Sequence, residues 1–464
     1  MNKRSHFVSA LVLSVLLSAC AVGPDYQPSQ QILTVNMEDS YQPVSSLSTW
    51  WDAFNDDQLS GLIAQALAEN RTIVQAAANV ERAYAVFSDS QADRYPDGTV
   101  SAGYQASRNA SLLSQDDGMT MRGFTNGLSL SWDTDLFGKL KRATEAASAR
   151  AEQAELLWQD ARLQIVSQVV SSYGQYRGAQ LRLFYAEMNL QFLLQSKEII
   201  QAQIKAGSAT KLEMTQIDTQ IYRVKTDIPA IRIASQTAKS TLAALMATPT
   251  ESLQISSSAT LPRLNQPLSI ADNVNYLKFR PDVASAERNL AASTAQIGVI
   301  TADLYPSLSV SGFLGFISSP GLALNSASES WNIAPTIQWS GLNMGAVKAR
   351  IKMAEADAEV ALAQYEQSVI GAVNDMQLSL TNYQLSREQL ASAERQFESS
   401  QQAVSISRAQ YKAGTVDFLL LLDSERELLT SRDQLAQIEL SHFLRMVDVY
   451  REFGGAISRD NQGT

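Results

Sequence analysis

The sequence contains very little cysteine and histidine. Its 464 residues include one cysteine, Cys20, and two histidines, His6 and His442. A single cysteine excludes an internal disulfide, and two distant histidines do not provide the ligand cluster that a transition-metal site needs. The chain also lacks a phosphate-binding glycine loop and a nucleophile motif. We therefore expect no catalytic residues, no metal, no cofactor and no enzymatic activity.

The sequence also has little glycine and proline, with 22 and 12 residues respectively. These residues interrupt helices and mark turns, so their scarcity argues against several compact domains with many turns. It favours long, uninterrupted helices.

A mature membrane-spanning helix is not predicted at the N-terminus. Lys3 and Arg4 precede the apolar stretch Phe7 to Leu17, which is shorter than the roughly 20 residues that span a bilayer and fits a signal peptide covering residues 1–19. The pattern ending in Ala19-Cys20 is that of a lipoprotein cleavage site, so we predict lipidation of Cys20. Cleavage removes two basic and no acidic side chains, and the net charge falls from −10 to −12. Such a charge makes nucleic acid an unsuitable partner.

The chain is a tandem duplication. Lys205-Ala206-Gly207 recurs as Lys412-Ala413-Gly414, and Trp132 recurs as Trp339, both 207 residues later. Such self-similarity defines repeated structural units. The predicted division is a lipidated N-terminal segment and equatorial region at 20–56, a first repeat at 57–247, a linker and equatorial region at 248–279, a second repeat at 280–454 and a polar tail at 455–464.

Each repeat is predicted to begin with a helix and continue with two strands. The helices, near 57–94 and 281–304, stop at a Tyr-Pro pair, because the residue before proline disfavours the α conformation. Alternating apolar and polar residues then predict strands near 100–107 and 128–133, and near 308–316 and 331–339. The connecting segments 109–123 and 317–330 are rich in serine, glycine and asparagine, as extracellular loops are.

The outward residues of the last strand predict contact with lipid. Trp331, Ile333, Ile337 and Trp339 share one face, and the two tryptophans are about 26 Å apart at about 3.3 Å per residue. This spacing matches the apolar band and aromatic girdles of outer-membrane barrels. Four strands cannot close a barrel, and lipid does not tolerate an open sheet edge. The chain must therefore oligomerise.

Proline is absent from 139–205 and from 346–412, which we predict to be single helices. Some 67 helical residues extend roughly 100 Å, so these helices are expected to cross the periplasm. In the second one, apolar residues step by three or four from Ile351 to Leu380, as in a coiled coil. Glycine suits the left-handed position after each helix. Return helices follow at 211–247 and 418–453, with Thr210 and Asp417 as N-caps.

Several motifs resemble the TolC-like outer-membrane factors, specifically the OprM/NodT-type efflux lipoproteins. They include Cys20-Ala-Val-Gly-Pro-Asp-Tyr26, Trp50-Trp51-x-x-Phe54, Arg280-Pro-Asp-Val283 and Tyr411-Lys-Ala-Gly414 followed by Leu422-Asp423. The resemblance covers essentially the whole chain. It implies an α+β membrane protein, a homotrimer whose 12-stranded β-barrel receives four strands from each chain and is continuous with a periplasmic helical barrel.

The resemblance also implies partners and site residues. The implied partners are a periplasmic adaptor, an inner-membrane pump, commonly of the resistance-nodulation-division class, and the lipid of the outer membrane. The protein is expected to reside in the outer membrane. Ala21 agrees with this location, since Asp at that position retains similar lipoproteins in the inner membrane. Leu419 and Asp423 match the periplasmic gate of the lipoprotein branch, where apolar and carboxylate rings narrow the pore. The hairpin tips Gly207, Ser208, Gly414 and Thr415 are expected to meet the adaptor.

The predicted function is a passive exit duct for drugs or other toxic small molecules. A type I protein-secretion duct on the same scaffold is an alternative that the sequence leaves open. A structural coiled-coil envelope lipoprotein is a third possibility, although such a protein does not need two strand pairs with interfacial aromatic residues.

Overall fold

The computed structural model describes residues 21–28, 42–44, 49–109, 119–256, 260–264, 269–271, 277, 280–321 and 326–453. The chain divides into two compact units. The first combines residues 78–155 and 285–366 with the N-terminal stretch 21–28. The second combines residues 42–44, 49–77, 156–284 and 367–453 within the described ranges. The predicted signal peptide, Cys20 and the polar tail lie outside the described residues.

The elements repeat in the predicted order. The helices are α1 (Asp57–Glu69), α2 (Arg71–Ala92), α3 (Lys139–Lys205), α4 (Lys211–Leu245), α5 (Pro281–Thr301), α6 (Met344–Lys412) and α7 (Phe418–Glu452). The strands are β1 (Gln42–Val44), β2 (Asp97–Asn109), β3 (Met119–Asp133), β4 (Ser269–Ala271), β5 (Ser307–Ser318) and β6 (Glu329–Gln338). No helix in the described ranges is both long and apolar enough to span a bilayer.

The first unit contains an antiparallel sheet in the order β2-β3-β5-β6. Its register aligns apolar residues across the four strands. Val100 lies opposite Leu128, Leu128 lies opposite Leu314, and Leu314 lies opposite Trp331. Successive side chains of a strand point to opposite faces, so one face, here called the apolar face, carries these residues. The other face carries mainly Ser, Thr, Gly, Asn and Gln and is called the polar face.

The residues of the outward set predicted for the last strand lie on the apolar face and are exposed in the single chain. Trp331 and Ile333 are 69% and 70% exposed, and Ile337 and Trp339 are exposed as well. Pro335 belongs to the same face, where it lies opposite Val310. A sheet whose apolar face is open and whose polar face is rich in serine has the inverse pattern of a soluble sandwich.

The two repeats anchor their strands in the same way. The indole Nε1 of Trp132 donates to the carbonyl oxygen of Arg94 at 3.1 Å, and the indole Nε1 of Trp339 donates to that of Leu304, also at 3.1 Å. Each tryptophan therefore caps the C-terminal end of the helix that leads into its own strand pair. This equivalence is the structural counterpart of the duplication in the sequence.

The predicted helix over 57–94 is wrong in one respect, because Asn70 divides it into α1 and α2. The Asn70 side chain accepts from the backbone N–H groups of Thr72 and Ile73 and caps the start of α2. Its amide also donates to the carbonyl oxygen of Leu245 at 2.7 Å. A buried asparagine that bonds to the backbone on both sides favours a break over a continuous helix.

The predicted loops are shorter than the sequence suggested. β3 already begins at Met119, β5 continues to Ser318 and β6 begins at Glu329, so parts of the segments 109–123 and 317–330 are strand. Backbone pairing extends these strands beyond the alternation of apolar side chains, since polar residues such as Arg108 and Thr120 also pair.

The long helices agree closely with the prediction. α3 spans Lys139–Lys205 as expected, and α6 begins two residues before the expected start. None of the nine seam residues of α6 is exposed, and those from Val369 onward, together with Ala354 and Ala361, are buried. The seam comprises Ile351, Ala354, Ala358, Ala361, Tyr365, Val369, Ala372, Met376 and Leu380.

Contacts in the second unit explain the motif that begins at Trp50 and the motif that begins at Arg280. Trp50 stacks on Tyr450 of α7 with ring centroids 4.7 Å apart. Arg280 donates to the carboxylates of Asp282 and Glu452 at 2.7 and 2.8 Å and so joins the start of α5 to the end of α7. Burial alone would raise the pKa of Asp282, but the Arg280 guanidinium more than offsets this and lowers it.

Candidate functional site: hairpin tips and gate

Both helical hairpins turn through the same C-capping geometry. Gly207 and Gly414 adopt left-handed φ angles of 77° and 73°, and the next residues, Ser208 and Thr415, donate their backbone N–H groups to the carbonyls of Gln203 and Gln410 at 2.9 and 3.0 Å. This bond from the sixth residue back to the first is the Schellman motif. Glycine at these positions avoids the strain that a side chain would introduce.

The return helices start with the predicted caps. Thr210 and Glu213 form a complete capping box at the start of α4. At the start of α7, the Asp417 carboxylate accepts from the Leu420 N–H at 3.0 Å. Gly207, Ser208, Gly414 and Thr415 are all exposed, so each tip presents a short polar turn held by backbone bonds.

The two tips belong to one packed group in the second unit. Tyr411 of α6 donates to Gln203 of α3 at 3.1 Å, and its ring lies 5.9 Å from that of Phe418. Behind the tips, apolar residues of α3, α4 and α7 form a buried cluster. Its buried members are Leu193, Ile200, Ile217, Ile221, Val224, Ile228 and Phe418. A rigid base of this kind supports both turns.

The first two turns of α7 separate into a buried and an exposed face. Phe418 is buried and Leu422 packs on the cluster, whereas Leu419 is 47% exposed and the Asp423 side chain 65% exposed. Leu419 and Asp423 are four residues apart and therefore share a helix face. The structure thus brings together the two residues for which a gate role was predicted, and leaves them open at the surface of this chain.

Arg426 is a member of this face that the sequence reasoning missed. Its guanidinium binds the Asp423 carboxylate at 2.6 Å. The spacing of three residues on one helix was a readable signal, since Asp and Arg at that distance commonly pair. The pair is solvent-exposed and therefore contributes little to stability.

A second ion pair joins α6 to α7 behind the exposed face. Arg408 binds Glu425 at 2.6 Å, and the guanidinium also lies over the ring of Phe192. Burial raises the pKa of Glu425, and the neighbouring Arg408 offsets part of this effect. Removing either partner would leave a buried or half-buried charge without compensation, which is costly.

The described N-terminal stretch, residues 21–28, packs against α3 and α5 of the first unit. The Val22 N–H donates to the Phe137 carbonyl at 3.2 Å, and Arg142 at the start of α3 binds the Asp25 carboxylate at 2.6 Å. Gly23 passes so close to Gly298 of α5 that a Cβ on Gly23 would lie 2.4 Å from the Gly298 Cα.

The described residues contain no cluster of metal-binding side chains. No group of three or more His, Cys, Asp or Glu side chains in these ranges could hold a metal ion. His442 hydrogen-bonds to Ser386 at 2.8 Å and stacks on Tyr383, and burial lowers its pKa. These contacts account for His442 as a packing residue between α6 and α7.

Comparison with known proteins agrees with this geometry. A sequence profile described as outer membrane efflux protein matches residues 62–248 and 274–451, one segment for each repeat. The chain belongs to the outer membrane efflux protein family. The four strands of its antiparallel sheet, β2, β3, β5 and β6, contribute to a trimeric 12-stranded outer-membrane β-barrel, and its long helices contribute to a periplasmic helical barrel.

Individual relatives cover nearly the whole chain. Nodulation protein T of Rhizobium leguminosarum bv. trifolii is 28% identical over 91% of this chain and 92% of its own length. The cation efflux system protein CusC of Escherichia coli K12 is 29% identical over 96% and 98%. The solved structure of the outer-membrane channel OprN superposes with a TM-score of 0.90 at 35% identity, covering 94% of this chain and all of that one.

Membership of this family establishes the role of the protein in a tripartite efflux system. The protein is an outer-membrane channel that serves as the exit duct of a tripartite efflux system, together with a periplasmic adaptor and an inner-membrane pump. It resides in the outer membrane and extends into the periplasm. The family consists of channel proteins rather than enzymes.

Proposed function

We propose that this chain conducts drugs or other toxic small molecules passively, receives them from a pump of the resistance-nodulation-division class, and is anchored by a lipid on Cys20. The observation that carries this proposal is the pair of capped, exposed tips at the far ends of α3 and α6. They combine a rigid base with accessible polar turns, as a docking surface for an adaptor requires. The chain has no catalytic role in this scheme, so the energy for transport comes from the pump.

Docking at the tips can be tested by site-specific crosslinking. We expect Ser208→Cys or Thr415→Cys, each carrying a thiol-directed photocrosslinker, to capture the periplasmic adaptor in cells. Cys20 is the only native cysteine and is blocked when lipidated, so the introduced thiol is the reactive one. The captured protein is identified by mass spectrometry of the crosslinked band.

The control for this experiment is Glu329→Cys, at the opposite end of the sheet from the helices. A periplasmic adaptor cannot reach that position. Equal capture from Glu329→Cys and from the tips, or no capture from either tip while the adaptor is expressed, would contradict docking at the tips.

We propose that Leu419 and Asp423 form the periplasmic gate. Three leucines near a threefold axis can exclude water, and three carboxylates create a charged ring. In each chain Arg426 holds the Asp423 carboxylate at 2.6 Å, which limits how far that side chain can turn. The gate therefore consists of an apolar ring followed by a ring of paired charges.

Asp423→Ala is expected to raise single-channel conductance in planar lipid bilayers several-fold, because it removes both the side chain at the constriction and its tie to Arg426. Asp227→Ala is the matched control, since Asp227 is an exposed carboxylate on α4. Conductance of Asp423→Ala equal to the wild-type value would exclude Asp423 from the constriction.

A further inference from the structure

The second unit contains a cavity of about 530 Å³ between α3, α4 and α7. This volume lies within the range of sites that bind small molecules. Apolar side chains, among them Val224, Ile231 and Leu429, form part of its wall. The charged residues of the wall are Arg182, Arg223, Arg426, Arg432, Asp227 and Asp433. Arginines therefore outnumber aspartates, and the cavity has an excess of positive charge.

Two of the four arginines already have carboxylate partners. Arg182 binds Asp433 through two nitrogen–oxygen contacts of 2.7 and 3.1 Å. Arg426 binds Asp423 at 2.6 Å. Both pairs are complete without a ligand, so the excess positive charge of the cavity belongs to Arg223 and Arg432.

The other two arginines have no carboxylate of their own. Arg223 is exposed and forms no ion pair within the described ranges. The guanidinium of Arg432 lies over the rings of Tyr185 and Phe397, with Cζ 5.4 Å from each centroid, and its charge also acts on Glu425, which another arginine binds. The buried Nε of Arg432 nevertheless lacks a hydrogen-bond acceptor in the part of the chain that the structure describes. Both side chains can therefore donate to an anion in the cavity.

Asn189 points to a ligand independently of the charges. This residue of α3 lines the cavity and is only 8% exposed. Its Oδ1 has no hydrogen-bond partner within the described residues. A buried amide oxygen without a partner is costly, and native structures contain few of them. Because the unpaired atom is an acceptor, the ligand that completes it carries a donor such as a hydroxyl group.

We propose that the cavity binds a small organic anion that carries two or more carboxylates and a hydroxyl group. Arg223 of α4 and Arg432 of α7 donate to the carboxylates, whose geometry matches the guanidinium fork. Asn189 of α3 accepts from the hydroxyl group, and the apolar part of the wall contacts the carbon frame. The bound anion thus joins three helices of one chain. This proposal goes beyond the exit-duct function and does not depend on the gate or on the cargo.

Isothermal titration calorimetry on the purified, detergent-solubilised trimer tests the proposal. The probes are citrate, propane-1,2,3-tricarboxylate, which lacks the hydroxyl group, the uncharged triethyl citrate, and inorganic phosphate. We expect the wild type to bind one citrate per chain, more tightly than any other probe, and not to bind triethyl citrate. Arg223→Gln and Arg432→Gln should each lower the affinity for citrate about tenfold, because each removes charge-assisted hydrogen bonds.

Asn189→Leu separates a ligand-binding role from a structural one. Leucine is similar in size to asparagine, and replacing an unpaired buried amide with an apolar group is not destabilising. We therefore expect a trimer of at least wild-type thermal stability. Its affinity for citrate should fall several-fold, whereas its affinity for propane-1,2,3-tricarboxylate should not change. A merely structural asparagine would leave the ratio of the two affinities at the wild-type value.

Two further variants on α4 serve as controls for charge. Lys225→Gln removes an exposed positive charge two residues from Arg223, outside the lining of the cavity, and should bind citrate as the wild type does. Asp227→Asn removes a lining carboxylate that has no ion pair within the described ranges, so it should raise the affinity for citrate several-fold. The trimer is verified for each variant before titration, and the exposed Arg223 provides the measurement if Arg432→Gln does not assemble.

Four results would overturn the proposal. The first is citrate binding no tighter than that of triethyl citrate. The second is wild-type affinity for citrate in Arg223→Gln, or an equal loss in Lys225→Gln, which would indicate a general effect of charge. The third is an unchanged ratio of the two tricarboxylate affinities in Asn189→Leu. The fourth is phosphate binding as tight as that of citrate, which would indicate a site for inorganic anions.

Discussion

Ile333→Arg is expected to abolish insertion of the channel into the outer membrane. Ile333 lies in the middle of β6 on the apolar face and is 70% exposed in the single chain. An arginine on the lipid face near the bilayer midplane costs about 2–4 kcal/mol, and a trimer carries the substitution three times. Heat-modifiable trimer in isolated outer membranes, detected by gel electrophoresis, should therefore fall to a small fraction of the wild-type amount.

The neighbouring residue provides a matched control. Asn332 follows Trp331 on the same strand but points to the polar face, where it lies opposite Phe313. Asn332→Arg introduces the same charge one position away and should leave the amount of trimer close to wild type. Normal assembly of Ile333→Arg, or equal loss for both variants, would contradict the assignment of the apolar face to lipid.

The elements that the sequence predicted well are those whose signal is local. Alternation within a strand identifies its apolar face without knowledge of its neighbours. The register, which was not predicted, aligns Val100, Leu128, Leu314 and Trp331 on that face. The ends of α3 and α6 were equally readable, because Lys-Ala-Gly supplies a left-handed position and Thr210 or Asp417 supplies the next cap.

The features that escaped prediction depend on contacts between distant residues. Asn70 breaks the first helix partly through a bond to Leu245, which lies 175 residues away. Arg408 and Glu425 pair across two helices, and neither residue is part of a recognisable motif. The approach of Gly23 to Gly298 likewise requires knowledge of how the N-terminal stretch crosses α5. Sequence patterns report local conformation but do not report which surfaces meet.

The residues of the candidate site were likewise predictable only in part. Leu419 and Asp423 were identified by resemblance to a family, and the structure adds that they share an exposed face while Phe418 and Leu422 on the same turns are packed. The pairing of Asp423 with Arg426 was not predicted, although the spacing of three residues on one helix was a readable signal for it.

Deletion of the gene, followed by susceptibility testing, examines the exit-duct account most directly. We expect the deletion strain, with pump and adaptor expressed, to become several-fold more susceptible to a broad panel of small toxic compounds while protein secretion stays intact. The wild-type gene and Asn332→Arg should restore resistance, whereas Ile333→Arg should not. Unchanged susceptibility across the whole panel would contradict the account, and loss of protein secretion instead would favour a type I secretion duct.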